Sequence, residues 1–226
     1  MQDSDANAPN LECLPIPLSQ SVDAIEAAAA AAGIRWGSCH YRSSSRLGCC
    51  DPDEVTKASL LTQMMIRTKT TNPHARVFTV VRNPYDVCVS AFYHHIQDTA
   101  PPTAAKLNAW VQDKIKRQQQ QTRSERSATS SDDSVLLSPQ HRFIFDENDG
   151  SPLVDEILRY ENLDVEFRQL MKNNRMFVRL QRKWKSEQHQ SYTLTAMDFT
   201  RETIVLVNNY FAGDFEQFGY ERLDIF

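Results

Sequence analysis

Arg82 and Ser90 are the two residues whose types and spacing best suit chemistry on an anion. They lie in the segment VFTVVRNPYDVCVS, Val77 to Ser90, eight residues apart. A guanidinium presents a planar fork of donors that matches phosphate oxygens, and a hydroxyl adds one further donor. The alternative at this point is that Arg82 pairs with a carboxylate and Ser90 is a solvated helix residue.

The elements that must hold this pair read clearly. Arg76 to Arg82 is a near-continuous apolar run with Val77, Phe78, Val80 and Val81, as expected of a strand covered on both faces. Asn83 suits an N-cap, Pro84 suits N1, and Asp86 places a carboxylate in the first turn of a helix over about 84 to 97. Tyr85, Cys88, Val89, Phe92 and Ile96 form its packing stripe. Ser90 lies off that stripe, so guanidinium and hydroxyl are expected to converge at the carboxyl edge of the sheet, where open α/β folds bind ligands.

Elsewhere the sequence predicts alternating strands and helices. Residues 1 to 10 read as a disordered tail, Leu11 to Ile16 as an edge strand or strand end, and Val22 to Ala32 as a helix capped by Ser19 or Ser21. Ile34 to Tyr41 reads as a second strand, and Asp51-Pro52 opens a helix reaching about Lys69. A further helix is expected over 104 to 118. The segment at about 118 to 138, rich in Gln, Ser and charge, reads as a disordered insertion. Strands are then expected at Arg142 to Phe145 and Leu153 to Tyr160, around the acidic Gly turn DENDG, with another at Met176 to Leu180. Helices are expected at Glu161 to Lys172 and Thr200 to Phe218. In the last, Ile204, Val207, Phe211, Phe215 and Phe218 recur at helical spacing, and that stripe reads as core. The expected architecture is one α/β domain over 11 to 226, a mainly parallel sheet with helices on both faces.

Composition narrows the functions. The chain has 226 residues, 41% hydrophobic and 24% charged, with a net charge of −4. That balance argues against a general nucleic-acid binder, yet one local Arg cluster is enough for a small anionic ligand. No run of 18 apolar residues encodes a membrane span, and the polar N-terminus lacks the features of a signal peptide. The five cysteines include no CxxC spacing, so a zinc site is not expected. Cys88 reads as a small buried residue, whereas Cys39 with Cys49 or Cys50 is a pairing that only an oxidising compartment would favour. Glu161, in RYENL, reads as a structural cap or pair with Arg159 as a partner; His94 and His95 read as exposed helix residues, with lining of an acceptor cleft as the alternative.

RNPYDVCVS resembles the 3′-phosphate-binding motif of sulfotransferases that use 3′-phosphoadenosine-5′-phosphosulfate (PAPS). On that pattern Arg82 and Ser90 hold the 3′-phosphate. IRWGSCHY (34 to 41), NAW (108 to 110), PQHRFIFDENDG (139 to 150), VDEILRYENLDVEF (154 to 167) and ETIVLVNNYFAGDFEQFGYE (202 to 221) follow in order and resemble the carbohydrate sulfotransferase family. The resemblance spans about residues 14 to 223. It implies a three-layer, P-loop NTPase-like sulfotransferase fold. It also implies transfer of a sulfuryl group to a hydroxyl, with a carbohydrate as acceptor, PAP as product and no metal. Members of the family are usually Golgi membrane-anchored; the compartment of this chain is left open.

The same resemblance assigns further positions. His40 ends the second predicted strand and matches the region where relatives place a proton-accepting residue, a task suited to an imidazole near neutral pH. Arg182 and Lys183, with Ser186 beyond them, match a loop that closes over the nucleotide; read as a charge run, they are a solvated face. The match weakens at the loop that cradles the 5′-phosphosulfate. There Leu18 takes the usual Lys position, both loop glycines are missing, and Asp23 adds negative charge. Ser19, Gln20 and Ser21 remain as neutral donors. A transferring sulfuryl group needs positive charge near its bridging oxygen, and removing one such stabilising donor costs about 10²–10³ in rate. A homologue that binds PAP, PAPS or a glycan without turnover is therefore the second reading. A nucleotide kinase is a weaker third, because the chain has no GxxxxGK[ST] loop.

Overall fold

The computed structural model describes the backbone of residues 11–14 and residues 76–96, 102–120, 137–146, 149–180 and 193–224, apart from the side chain of His94. The fold is mixed α/β. Among the described residues three strands, β1 (Leu11–Leu14), β2 (Arg76–Val81) and β3 (Glu156–Arg159), form a sheet in that order, and both pairings are parallel. Phe78 is the central register point, opposite Cys13 on one side and Glu156 on the other.

Every residue of β2 after Arg76 is buried, as its unbroken apolar run predicts. Its alternating side chains serve two cores. Phe78 and Val80 pack with Leu158, Leu163, Phe167 and Leu170, the last three from helix α4 (Leu163–Asn173). Val77 and Val81 pack on the opposite side with Phe143, Ile144, Val154 and Phe218. Helices therefore cover β2 on both faces.

Helix α1 (Pro84–His95) begins as its sequence predicts: the Asn83 side chain accepts from the Tyr85 N–H at 3.0 Å, with Pro84 in the first turn. Helix α2 (Ala104–Gln120) buries Leu107, Val111 and Ile115 at four-residue spacing. The same core takes Tyr85, Cys88 and Phe92 from α1. It also takes Val207, from α5 (Arg201–Tyr210), and Phe215, from α6 (Ala212–Phe218). The burial of Val207, Phe211, Phe215 and Phe218 bears out the expected aromatic stripe. Asn108 ties α2 to the start of α5. Its amide donates to the Ala104 and Asp198 carbonyls at 2.7 and 2.8 Å, and its oxygen accepts from the Thr200 N–H at 2.7 Å.

Several elements differ from their sequence expectation. RFIF is not a strand: His141–Ile144 form a short helix, α3, because the Phe143 and Phe145 N–H groups turn back to the Gln140 and His141 carbonyls. Only Phe145 retains a β-bridge, to Pro152, across the acidic turn in which Gly150 takes φ 70°. Met176–Leu180 keeps a strand-like alternation of burial, with Val178 inside and Phe177 outside, but pairs with no strand among the described residues. The final helix divides at Phe211, whose φ/ψ of −99°/22° leaves the helical well. Gly213 weakens helix continuity there, and the Asp214 carboxylate is drawn to another segment. Lastly, α2 continues through Gln120 and Leu137 is buried, so both edges of the 118 to 138 segment are ordered.

Candidate functional site

Strand β2 delivers Arg82 to the sheet's carboxyl edge, one residue past its last ladder position, the pair Val81 and Arg159. The side chain of Gln140 takes over there. Its Oε1 accepts the Arg82 N–H at 2.9 Å, and its Nε2 donates to the Arg82 carbonyl at 2.7 Å. Arg82 is only 7% exposed, and its guanidinium lies over the Tyr160 ring, with Cζ 4.5 Å from the ring centre. A cation against an aromatic face is favourable but satisfies none of the in-plane N–H donors. Nε and Nη1 are buried and have no hydrogen-bond partner among the described residues.

Ser90 sits in the middle of α1, one helical turn beyond Asp86 on the same face. It is fully buried, and its hydroxyl also has no partner among the described residues. A helical serine ordinarily turns its hydroxyl back to the carbonyl four residues earlier; Ser90 does not. Buried polar groups are nearly always bonded, so two side chains with unsatisfied donors on one strand–turn–helix unit form a pattern that calls for an anionic or hydroxylic acceptor.

Asp86 is the acid most closely coupled to this unit. Burial pushes its carboxyl above the ordinary carboxylate value; Arg82 pulls it down and Glu161 pushes it up. Glu161 also fixes the turn, since its Oε1 accepts the Asn83 N–H at 2.7 Å. The partner expected for Glu161, Arg159, instead donates to the Phe218 carbonyl and lies over the Tyr220 ring. The reason is local: Arg159 faces the end of α6, and Tyr220 holds the other Glu161 oxygen at 3.0 Å.

Of the residues proposed from sequence, Arg82 and Ser90 belong to this one unit. His40, Ser19, Gln20, Ser21, Arg182, Lys183 and Ser186 lie outside the described residues. His95 is exposed and stacks near Trp110, which packs edge-on against Phe92. Cys88 is buried and burial raises its thiol pKa, as befits a packing residue. Among the described residues no group of His, Cys, Asp and Glu is arranged to hold a metal, and no helix is long and apolar enough to cross a membrane.

Sequence reasoning missed Gln140 and Asp214. Asp214 is fully buried; its Oδ2 accepts the Gln140 N–H at 2.8 Å and its Oδ1 the His141 N–H at 2.9 Å. The available signals were an acidic residue, Asp214, inside an otherwise apolar helical stripe, and the place of both residues in segments quoted above for the family resemblance. No family model, curated protein or solved structure matches this chain.

Proposed function

We propose that this chain is a PAPS-dependent sulfotransferase acting on a hydroxyl of a carbohydrate, with a three-layer, P-loop NTPase-like fold. The observation that carries the reading is the pair of buried, unpartnered donor groups, Arg82 Nε/Nη1 and Ser90 Oγ, on the motif that resembles a 3′-phosphate site. The parallel strands and the helices on both faces of β2 agree with that fold. Arg82 and Ser90 bind the 3′-phosphate by charge-assisted hydrogen bonds. In the reaction an acceptor oxygen forms a bond to sulfur as the sulfur–oxygen bond to PAP breaks, and a base, His40 in this reading, takes the acceptor proton. Catalysis is then positioning and charge stabilisation, with no metal required.

A second reading rests on a different observation, the sequence at the 5′ end. Leu18 stands where a lysine is expected and the loop glycines are absent, which favours a homologue that binds PAP, PAPS or a glycan without turnover. Calorimetry with PAP and PAPS, run beside a labelled-sulfate transfer assay on a glycan panel, separates the two. Transfer that is lost in Arg82→Ala supports the enzyme. PAP binding lost in Arg82→Ala, with no transfer by the unaltered chain, supports the binder. Binding of neither nucleotide overturns both.

A further inference from the structure

We propose that Gln140 and Asp214 are positioning residues that fix the backbone of Arg82 and thereby aim its guanidinium. The inference rests on the reading of Arg82 as the anion-binding group. Arg82 lies one residue beyond the β2–β3 ladder, so the strand pairing leaves its own N–H and carbonyl uncovered. The Gln140 amide replaces a strand neighbour, accepting the N–H at 2.9 Å and donating to the carbonyl at 2.7 Å. That two-way pairing admits only one orientation of the amide, because a flip would set oxygen against carbonyl and NH2 against N–H.

Gln140 is itself fixed from behind. The Asp214 carboxylate, 0% exposed, accepts the backbone N–H groups of Gln140 and His141 and meets His141 Nδ1 at 2.5 Å. The Gln140 side-chain amide lies 3.4 Å from the same carboxylate. Burying a carboxylate is costly unless several donors surround it, and the donors here come from Gln140, which bonds Arg82, and from its neighbour His141. The chain of contacts therefore runs from α6 through Gln140 to Arg82, the residue before the N-cap of α1. Its product is a fixed backbone direction at a residue whose buried Nε and Nη1 have no partner among the described residues.

The test is a double-mutant cycle on PAP affinity measured by calorimetry. Gln140→Met is nearly isosteric and removes both hydrogen bonds; the expected loss of affinity is about tenfold. In an Arg82→Lys background, which keeps a measurable charge but not the guanidinium fork, Gln140→Met should add little or nothing. Asp214→Asn should repeat the pattern with a smaller loss. Additive losses, or wild-type affinity in Gln140→Met, overturn the proposal. If Gln140→Met does not fold, Gln140→Glu, which keeps the acceptor and loses the donor, enters the same cycle. Should the unaltered chain bind no PAP, the functional reading fails separately, and positioning is read from the Arg82 Nε–H resonance in arginine-labelled protein. That resonance should shift or broaden in Gln140→Met, and an unchanged resonance overturns the proposal.

Discussion

Glu161 and Asn83 lie 78 positions apart and meet in one hydrogen bond, the Asn83 N–H on Glu161 Oε1 at 2.7 Å. The contact joins the segment just after β3 to the turn that starts α1, directly after Arg82. Asn83 therefore has two tasks: its side chain caps α1 at the Tyr85 N–H, and its N–H is anchored to the neighbouring strand's extension. The second Glu161 oxygen accepts from Tyr220, a phenol whose pKa is raised by burial and by the carboxylate beside it.

Glu161→Ala leaves the Asn83 N–H and the Tyr220 hydroxyl to water. Both bonds are solvent-accessible, so the expected loss is modest, about 1 kcal/mol. It should appear as a lower denaturant midpoint with an unchanged m-value. A loss above about 3 kcal/mol would show that Glu161 anchors more of the fold than these two bonds.

Ser90→Ala should separate stability from binding. The hydroxyl is buried without a partner among the described residues, and alanine is the better helix former, so the variant should be as stable as the parent or more so by about 0.5 kcal/mol. PAP affinity should fall at the same time. A thermal melt and a calorimetric titration on one preparation check both. Lower stability with unchanged affinity would return Ser90 to a structural role.

Asp86 supplies the pH dependence. Its carboxyl is raised chiefly by burial, with Arg82 acting against the rise and Glu161 adding to it. The folded chain therefore takes up this proton at higher pH than the unfolded chain, and the group's contribution to stability declines as pH rises from its ordinary value of 3.8 through the raised one. An anion at Arg82 is disfavoured by the charged form. Asp86→Asn should bind PAP several-fold more tightly than the parent at pH 7, and the ratio should approach one as pH falls and the parent's carboxyl is neutralised. Taking the ratio cancels the phosphate's own titration. A ratio constant with pH would exclude Asp86 as the cause.

The site was legible where local rules govern it. The Val77 to Val81 run, the Asn83–Pro84 cap and the burial of Cys88 follow from hydrophobic pattern and capping chemistry within a few residues. RFIF was misread because its four residues suit a strand by propensity, whereas a buried carboxylate more than 70 positions away closes the turn as a helix. The division of the last helix has the same origin: periodicity shows the apolar stripe but not the contact that pulls Asp214 aside. Gln140 was invisible for a further reason. Its task depends on Arg82 lying one residue past the ladder, and register is a property of three strands together.

Gly213 tests how tightly that buried carboxylate holds its surroundings. Within a helix, replacing glycine with alanine ordinarily stabilises by about 0.5–1 kcal/mol through reduced backbone entropy. Here a Cβ would stand 2.6 Å from His141 Cε1 and 2.8 Å from both ring nitrogens. The imidazole cannot simply swing away, because Nδ1 is held at 2.5 Å by Asp214 and the His141 N–H is bonded to the same carboxylate. Overpacking should therefore win, and Gly213→Ala should cost about 1–3 kcal/mol. The sign should reverse when the ring is removed: in a His141→Ala background the same substitution should be neutral or stabilising. Chemical denaturation of the two single variants and the double variant decides it. A Gly213→Ala that stabilises the parent would mean that the ring yields, and with it the hold of Asp214 on the turn that supports Arg82.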